Sequence, residues 1–145
     1  FICLHPGEGC AADNANAYSL CVYVECGEEG DAREGWSLLL TGDVEGKGEE
    51  ALLEEIRARN IRPVTVLKVA HHGSRNSTSG ELLERIKPLF AVVSCGSGNG
   101  YGHPHEELLG RLEECGTHMM RTSWSGAVTV TFRRGAVLAR PYIAP

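Results

Sequence analysis

His71 and His72, followed by Gly73 and Ser74, stand directly behind the strand-forming run Val64-Thr65-Val66-Leu67-Lys68-Val69-Ala70. Imidazole can ligate a metal or carry a proton near neutral pH, and glycine permits a sharp exit from a strand. Adjacent residues of an extended chain point to opposite faces, so one histidine of the pair ligates a given metal and the other contacts substrate or supports the ligand. Thr41-Gly42-Asp43 closes the preceding apolar run in the same way. The Asp43 carboxylate could hold or bridge divalent metals, or it could simply cap the next helix. Asn99-Gly100-Tyr101-Gly102-His103-Pro104 sets His103 at the cap of a helix whose first turn holds Pro104. The positive end of that helix dipole would keep His103 neutral, and the helix N-terminus could receive a phosphate. Arg121-Thr122, leading into the turn 123–126, reads either as a polar contact to substrate or as an ordinary β-turn. His105 falls just inside the helix on its exposed side, and His5 and His118 read as structural.

The elements that must carry these groups follow from periodicity. Strands are expected at 1–4, 17–25 and 36–41, with a polar loop around Asp13, Asn14 and Asn16 and a Gly- and Glu-rich turn at 27–35. Residues 17–41 then form an antiparallel hairpin. A helix opens at Gly46 to Gly48, buries Leu52, Leu53 and Ile56, and ends at Arg59 with Asn60 left-handed behind it. After strand 64–70, Thr78 and Glu81 have capping-box spacing for a helix carrying Leu82, Leu83 and Ile86, which Pro88 ends. Strand 89–95, a glycine-rich loop, and a helix with Leu108, Leu109 and Leu112 inward and Gly116 as its cap come next. Strands near 117–121, 127–133 and 136–140 finish the chain. Strands alternating with helices predict a layered α/β domain, and an open sheet of this kind gathers its chemistry at the carboxyl ends of its strands.

With 145 residues, 42% of them hydrophobic and 23% charged, the chain is one domain with a substantial core. A net charge of -5 argues against autonomous, tight nucleic-acid binding, although a nuclease whose metal ions supply positive charge remains compatible. The six cysteines lack any C-x-x-C spacing and read as free, mostly buried thiols, with Cys3–Cys10 and Cys21–Cys26 the pairings to watch in an oxidising compartment. No apolar stretch is long enough to span a bilayer, no signal peptide is visible, and Phe1 opens directly on a strand, as in a piece of something longer. Two glycine-rich decoys fail. Gly96 to Gly102 gives no G-x-G-x-x-G in either register, and Gly46-Lys47-Gly48 lacks the upstream glycine and the Ser/Thr of a phosphate-binding loop. Neither G-x-S-x-G nor H-E-x-x-H occurs.

Leu40-Thr41-Gly42-Asp43, Leu67 to Ser74 with the His pair, Tyr101-Gly102-His103-Pro104, and Arg121-Thr122 with Gly126 together resemble the metallo-β-lactamase-like domain of ComEC-type DNA-internalisation competence proteins. Leu4-His5-Pro6 is similar to the family strand that leads into this half of the domain. The resemblance implies an αββα sandwich, of which residues 1–145 form the C-terminal half, and a dinuclear zinc or manganese site that activates water against a phosphodiester. It makes Asp43 and His72 metal ligands, with His71 the alternative to His72. It makes His103 and His71 the catalytic pair, with Ser74, Asn99, Tyr101 and Arg121 contacting substrate. The family's first metal motif, H-x-H-x-D-H, would precede residue 1, so this chain alone is expected to bind metal weakly and to be inactive.

Three functions are consistent with these features. The chain is part of a nuclease acting on single-stranded DNA during competence uptake; or a hydrolase of a small phosphodiester, which suits the negative charge; or a non-catalytic partial scaffold docking to a membrane channel domain of the same polypeptide. Half a sandwich would also expose an apolar sheet face and self-associate. The expected location is a water-facing domain of a cell-membrane protein.

Overall fold

The structure is a computed structural model and describes residues 1–8, 10, 14–27, 35–61, 63–133 and 136–143. Asp13 and most of the turn expected at 27–35 lie outside the described residues.

Among the described residues, eight strands and four α-helices run in the order β1 (Ile2–His5), β2 (Cys21–Cys26), β3 (Trp36–Leu40), α1 (Lys47–Ala58), β4 (Val66–Lys68), α2 (Gly80–Ile86), β5 (Phe90–Val93), α3 (Glu106–Glu114), β6 (His118–Arg121), α4 (Thr122–Ser125), β7 (Val128–Arg133) and β8 (Ala136–Pro141). Short 3-10 turns lie at Asn16–Tyr18 and Ala70–Gly73. A six-stranded sheet has its strands in sequence order; β1, β2 and β3 pair antiparallel, and β3 through β6 pair parallel. The α/β architecture and the hairpin of β2 and β3 are as the sequence pattern predicts.

The register explains the core. Tyr23, Leu39, Leu67, Ala91 and Met119 lie opposite one another across β2 to β6, and the period of two sends all of them to one face. There they meet Leu52, Leu53 and Ile56 of α1, Leu82, Leu83 and Ile86 of α2, and Leu108 and Leu112 of α3. Burial of these side chains, about 1.5–3 kcal/mol each, is the main force holding the helices on the sheet. The other face carries Val22, Leu38, Leu40, Val92 and Met120. It is less completely covered: Leu40 is 37% exposed. The β7–β8 hairpin packs on part of it, with Phe132 stacked on Trp36 at 4.0 Å between ring centroids. Half-buried Val137 and Ala139 of β8 line a cleft with Phe90 and Met120.

Several local expectations shift. The strand expected at 64–70 is regular at Val66–Lys68, with the Val64 and Thr65 carbonyls and the Val69 amide still bonded to residues 89–92 before the chain turns away at Ala70. The helix α2 is capped by Ser79, whose hydroxyl accepts from the Leu82 amide at 3.2 Å. Thr78 does not cap it, since its hydroxyl accepts from the Ala70 amide. The helix α3 starts at Glu106 with His105 as its N-cap, so neither His103 nor Pro104 lies in its first turn. Asn60 and Gly116 do sit left-handed just past α1 and α3, at φ 50° and 72°. All six cysteines are free thiols, and burial pushes the Cys21 thiol up to about 12.

Gly48 is where α1 meets the loop before β2. A Cβ there would lie 2.4 Å from the Ala17 carbonyl oxygen, which is backbone and cannot yield cheaply. Gly110, on α3, faces open space. Gly48→Ala should therefore destabilise the fold by about 1–3 kcal/mol in urea unfolding. Gly110→Ala should stabilise it by up to ~1 kcal/mol through helix propensity.

Candidate functional site

The carboxyl ends of β3, β4 and β5 lie side by side, and the loops leaving them converge. The turn after β3 is fastened to β4: the Thr41 hydroxyl donates to the Lys68 carbonyl at 2.6 Å, and the His71 amide donates to the Gly42 carbonyl at 3.1 Å. Asp43 caps no helix, since α1 begins at Lys47 behind Gly46. Its carboxylate instead stands 3.6 Å from His72 Nε2 and 3.8 Å from Lys68 Nζ, with its side chain 39% exposed.

The His pair does not continue an extended chain. His71 and His72 have φ of 43° and 55°, and Gly73 follows at 90°. Three successive residues in this region turn the backbone sharply, so the strand alternation expected to separate the two rings does not apply; their centroids are 6.3 Å apart. Left-handed conformations cost non-glycine residues of order 1 kcal/mol or more each, so the surrounding structure must hold them. Gly73 is required outright: a Cβ would come within 2.6 Å of Pro104 Cβ. The Gly73 carbonyl accepts from the His105 amide at 2.9 Å, joining this loop to the one before α3.

The loop beyond the pair is clamped from two sides. Glu49 of α1, 6% exposed, accepts from the amides of Thr78 and Ser79. Arg111 of α3 donates to the carbonyls of Arg75, Ser77 and Thr78 at 2.9–3.1 Å. The Ser77 hydroxyl donates to the Ala70 carbonyl, while Thr78 satisfies the Ala70 amide. A loop with so many otherwise unpaired backbone groups needs these partners.

Partner chemistry fixes the imidazole tautomers. His72 Nδ1 lies 2.7 Å from the Ser94 carbonyl, which can only accept, so Nδ1 carries a proton and Nε2 is the ring nitrogen that stands beside Asp43. His71 Nδ1 lies 3.0 Å from Glu45 Oε2. Burial would raise the Glu45 carboxyl, but the bonds from Asn16 and His71 outweigh it and hold the group below its ordinary range, so it is ionised. His71 therefore also carries its proton on Nδ1. His105 Nδ1 accepts from the Arg75 amide. The His103 ring lies 5.5 Å from His71 and 4.8 Å from His105. His103 is held below the usual imidazole range, as expected, but by burial first and by the neighbouring imidazoles second. The α3 dipole is not the cause, because His105 occupies the cap. His105, expected inside the helix and exposed, is half-buried.

Of the residues assigned from sequence, Asp43, His71, His72 and His103 form one cluster. Ser74 is 5% exposed, and its hydroxyl accepts from the Asn76 amide within the loop. Asn99 spends its amide within its own loop, donating to the carbonyls of Gly96 and His103 and accepting from the His103 amide. Tyr101, 80% exposed, lies over His103 at 5.8 Å between centroids. Arg121 holds its guanidinium 3.4 Å above the Trp124 ring centre. Sequence reasoning passed over Glu45, Glu49 and Lys68. Burial lowers the Lys68 ammonium pKa, opposed by Asp43, and Nζ donates to the Gly42 carbonyl at 2.8 Å. The signal was present, since Lys68 is the one charged residue in the run 64–70.

The donor chemistry of Asp43 and His72 suits zinc or manganese. Their number does not: among the described residues, no group of three or more His, Cys, Asp or Glu side chains is placed to hold a metal ion.

No family model matches the chain. It is 41% identical over 106 residues to Competence protein ComA of Neisseria gonorrhoeae, covering 73% of this chain and 15% of that protein. It is 35% identical over 118 residues to ComE operon protein 3 of Bacillus subtilis, covering 81% of this chain and 14% of that protein. It is 37% identical over 117 residues to Recombination protein 2 of Haemophilus influenzae, covering 81% and 13% respectively. The chain thus spans about one seventh of the length of these curated relatives.

Glu49→Ala leaves the Thr78 and Ser79 amides without their acceptor and should cost about 2 kcal/mol or more in urea unfolding, with broadened imidazole resonances for His71 and His72. In an NMR pH titration His103 should have its midpoint below that of free imidazole. Because its folded pKa lies below the unfolded one, stability carried by neutral His103 is present above the unfolded value and is lost on acidification through the folded one.

Proposed function

Because the chain belongs to the ComEC-type competence protein family, we propose that it forms part of a metallo-β-lactamase-like domain. That domain cleaves phosphodiester bonds of DNA, single-stranded in particular, during competence uptake. The observation that carries this reading is the approach of Asp43 Oδ2 to His72 Nε2, 3.6 Å apart at the ends of neighbouring parallel strands. His72 is favoured over His71 as the ligand because it is His72 whose Nε2 stands 3.6 Å from Asp43 Oδ2.

A zinc or manganese ion would bring Lewis acidity to a phosphoryl oxygen and to water. Its remaining ligands would come from a segment other than the described residues, in the manner of an H-x-H-x-D-H motif. Within this chain, Lys68 offsets the charge of Asp43. His71, whose Nδ1 is taken by Glu45, and His103, held below the usual imidazole range by burial, would stand beside the phosphate. Tyr101 and Arg121 remain as groups for substrate; Ser74 and Asn99 also bond within their loops.

No helix among the described residues is long and apolar enough to cross a membrane. In this reading the domain hangs from a membrane channel domain of the same polypeptide. Two other readings each have an observation in favour. The net charge of -5 suits a small phosphodiester better than a long polyanion. The absence, among the described residues, of a group of three or more metal-binding side chains suits a partial scaffold that docks or self-associates through its less covered sheet face.

The domain should be assayed with its upstream segment and added zinc or manganese, on single-stranded DNA and on a small chromogenic phosphodiester. Asp43→Ala and His72→Ala should each lower DNA cleavage by about a hundredfold or more, since even supporting residues of metal sites carry 10–100-fold effects. Turnover of the small ester alone would select the second reading. No turnover of either, with Asp43→Ala indistinguishable from the parent, would leave the scaffold.

A further inference from the structure

Glu45 has no part in the reaction proposed above, yet it is among the most constrained side chains at the site. Its side chain is 19% exposed, and its two oxygens are divided between two partners. Asn16 Nδ2 donates to Oε1 at 3.1 Å, and His71 Nδ1 lies 3.0 Å from Oε2. A carboxylate has no proton to give. The Asn16 amide must therefore turn its NH2 group inward, and His71 must bear its proton on Nδ1.

Asn16 is itself held. The Ala17 amide donates to Asn14 Oδ1 at 3.0 Å, and His5, 1% exposed, donates from Nε2 to the Ala17 carbonyl at 2.6 Å. The bare Cα of Gly48 lets this short turn close on α1, just beyond Glu45. Three elements far apart in sequence thus meet at one carboxylate. Two imidazoles sit side by side after β4, and each has its tautomer set by a different acceptor: the Ser94 backbone for His72 and a side chain for His71.

We infer that Glu45, anchored by Asn16, is a positioning residue that holds His71 as the Nδ1–H tautomer, so that the open nitrogen of the neutral ring is Nε2. The inference rests on the proposed site for its use in catalysis. Its readout is the proton position, measured without turnover, so failure of the hydrolase reading would not touch it.

The test is 15N-resolved NMR of the imidazoles at a pH where they are neutral. In the parent protein His71 and His72 both show the Nδ1–H pattern. Glu45→Met removes the acceptor, and His71 alone moves to a population dominated by Nε2–H; His72, bonded to backbone, is the internal control for an intact fold. The exchange Asn16→Asp with Glu45→Gln restores the parent pattern. The carboxylate it introduces can only accept, so the new amide at position 45 must turn its NH2 toward that carboxylate and its oxygen toward His71. An Nε2–H pattern for His71 in the parent, or an unchanged Nδ1–H pattern in Glu45→Met, overturns the proposal. Failure of the double exchange with His72 intact overturns the anchoring role of Asn16.

Discussion

Glu49, buried in the first turn of α1, gives its carboxylate to the amides of Thr78 and Ser79, while Arg111 reaches from α3 to three carbonyls of the same segment. The remaining site geometry depends on this two-sided clamp. It holds the segment that returns the chain to α2, and so fixes the far end of a turn in which His71, His72 and Gly73 are all left-handed. Such a turn, released, would relax toward ordinary backbone and carry both imidazoles away from Asp43. The buried Glu49 carboxylate, withdrawn from water, needs every bond it makes, and the loop backbone supplies those bonds.

The sheet does the complementary work. Parallel pairing of β3 through β6 brings the ends of successive strands to one edge, and the apolar row from Tyr23 to Met119 locks the register, since a slip of one residue would turn that row to the wrong face. Asp43, the His pair and the loop bearing His103 are therefore neighbours as a consequence of core packing. Their fine placement depends on close backbone contacts, at Gly73 against Pro104 and at Gly48 against Ala17.

Much of this was legible beforehand. The alternation of strands and helices, the inward leucines of each helix, the antiparallel β2–β3 pair and the clustering of Asp43, His71, His72 and His103 all follow from periodicity and from the habit of open sheets to gather polar groups at strand ends. Other features were misread where local rules met a competing partner. Thr78 has the spacing of a cap, but a free backbone amide at Ala70 claimed its hydroxyl. Pro104 suggested the first turn of α3, yet the helix begins two residues later at Glu106, behind His105. Ser74 and Asn99, expected to contact substrate, also make hydrogen bonds within the loops that carry them.

What the sequence by itself determined is the set of elements and the chemical types at their ends, because hydrophobic period and glycine placement are local properties of the chain. What only the tertiary structure decided is the state of each functional group. Whether His71 carries its proton on Nδ1, whether Asp43 caps a helix or faces His72, and which carboxylates are buried all depend on partners such as Glu45, Asn16, Ser94 and Arg111. Those partners lie 20 or more residues away in the chain, and no local pattern encodes a hydrogen bond between groups that only the packed core brings together.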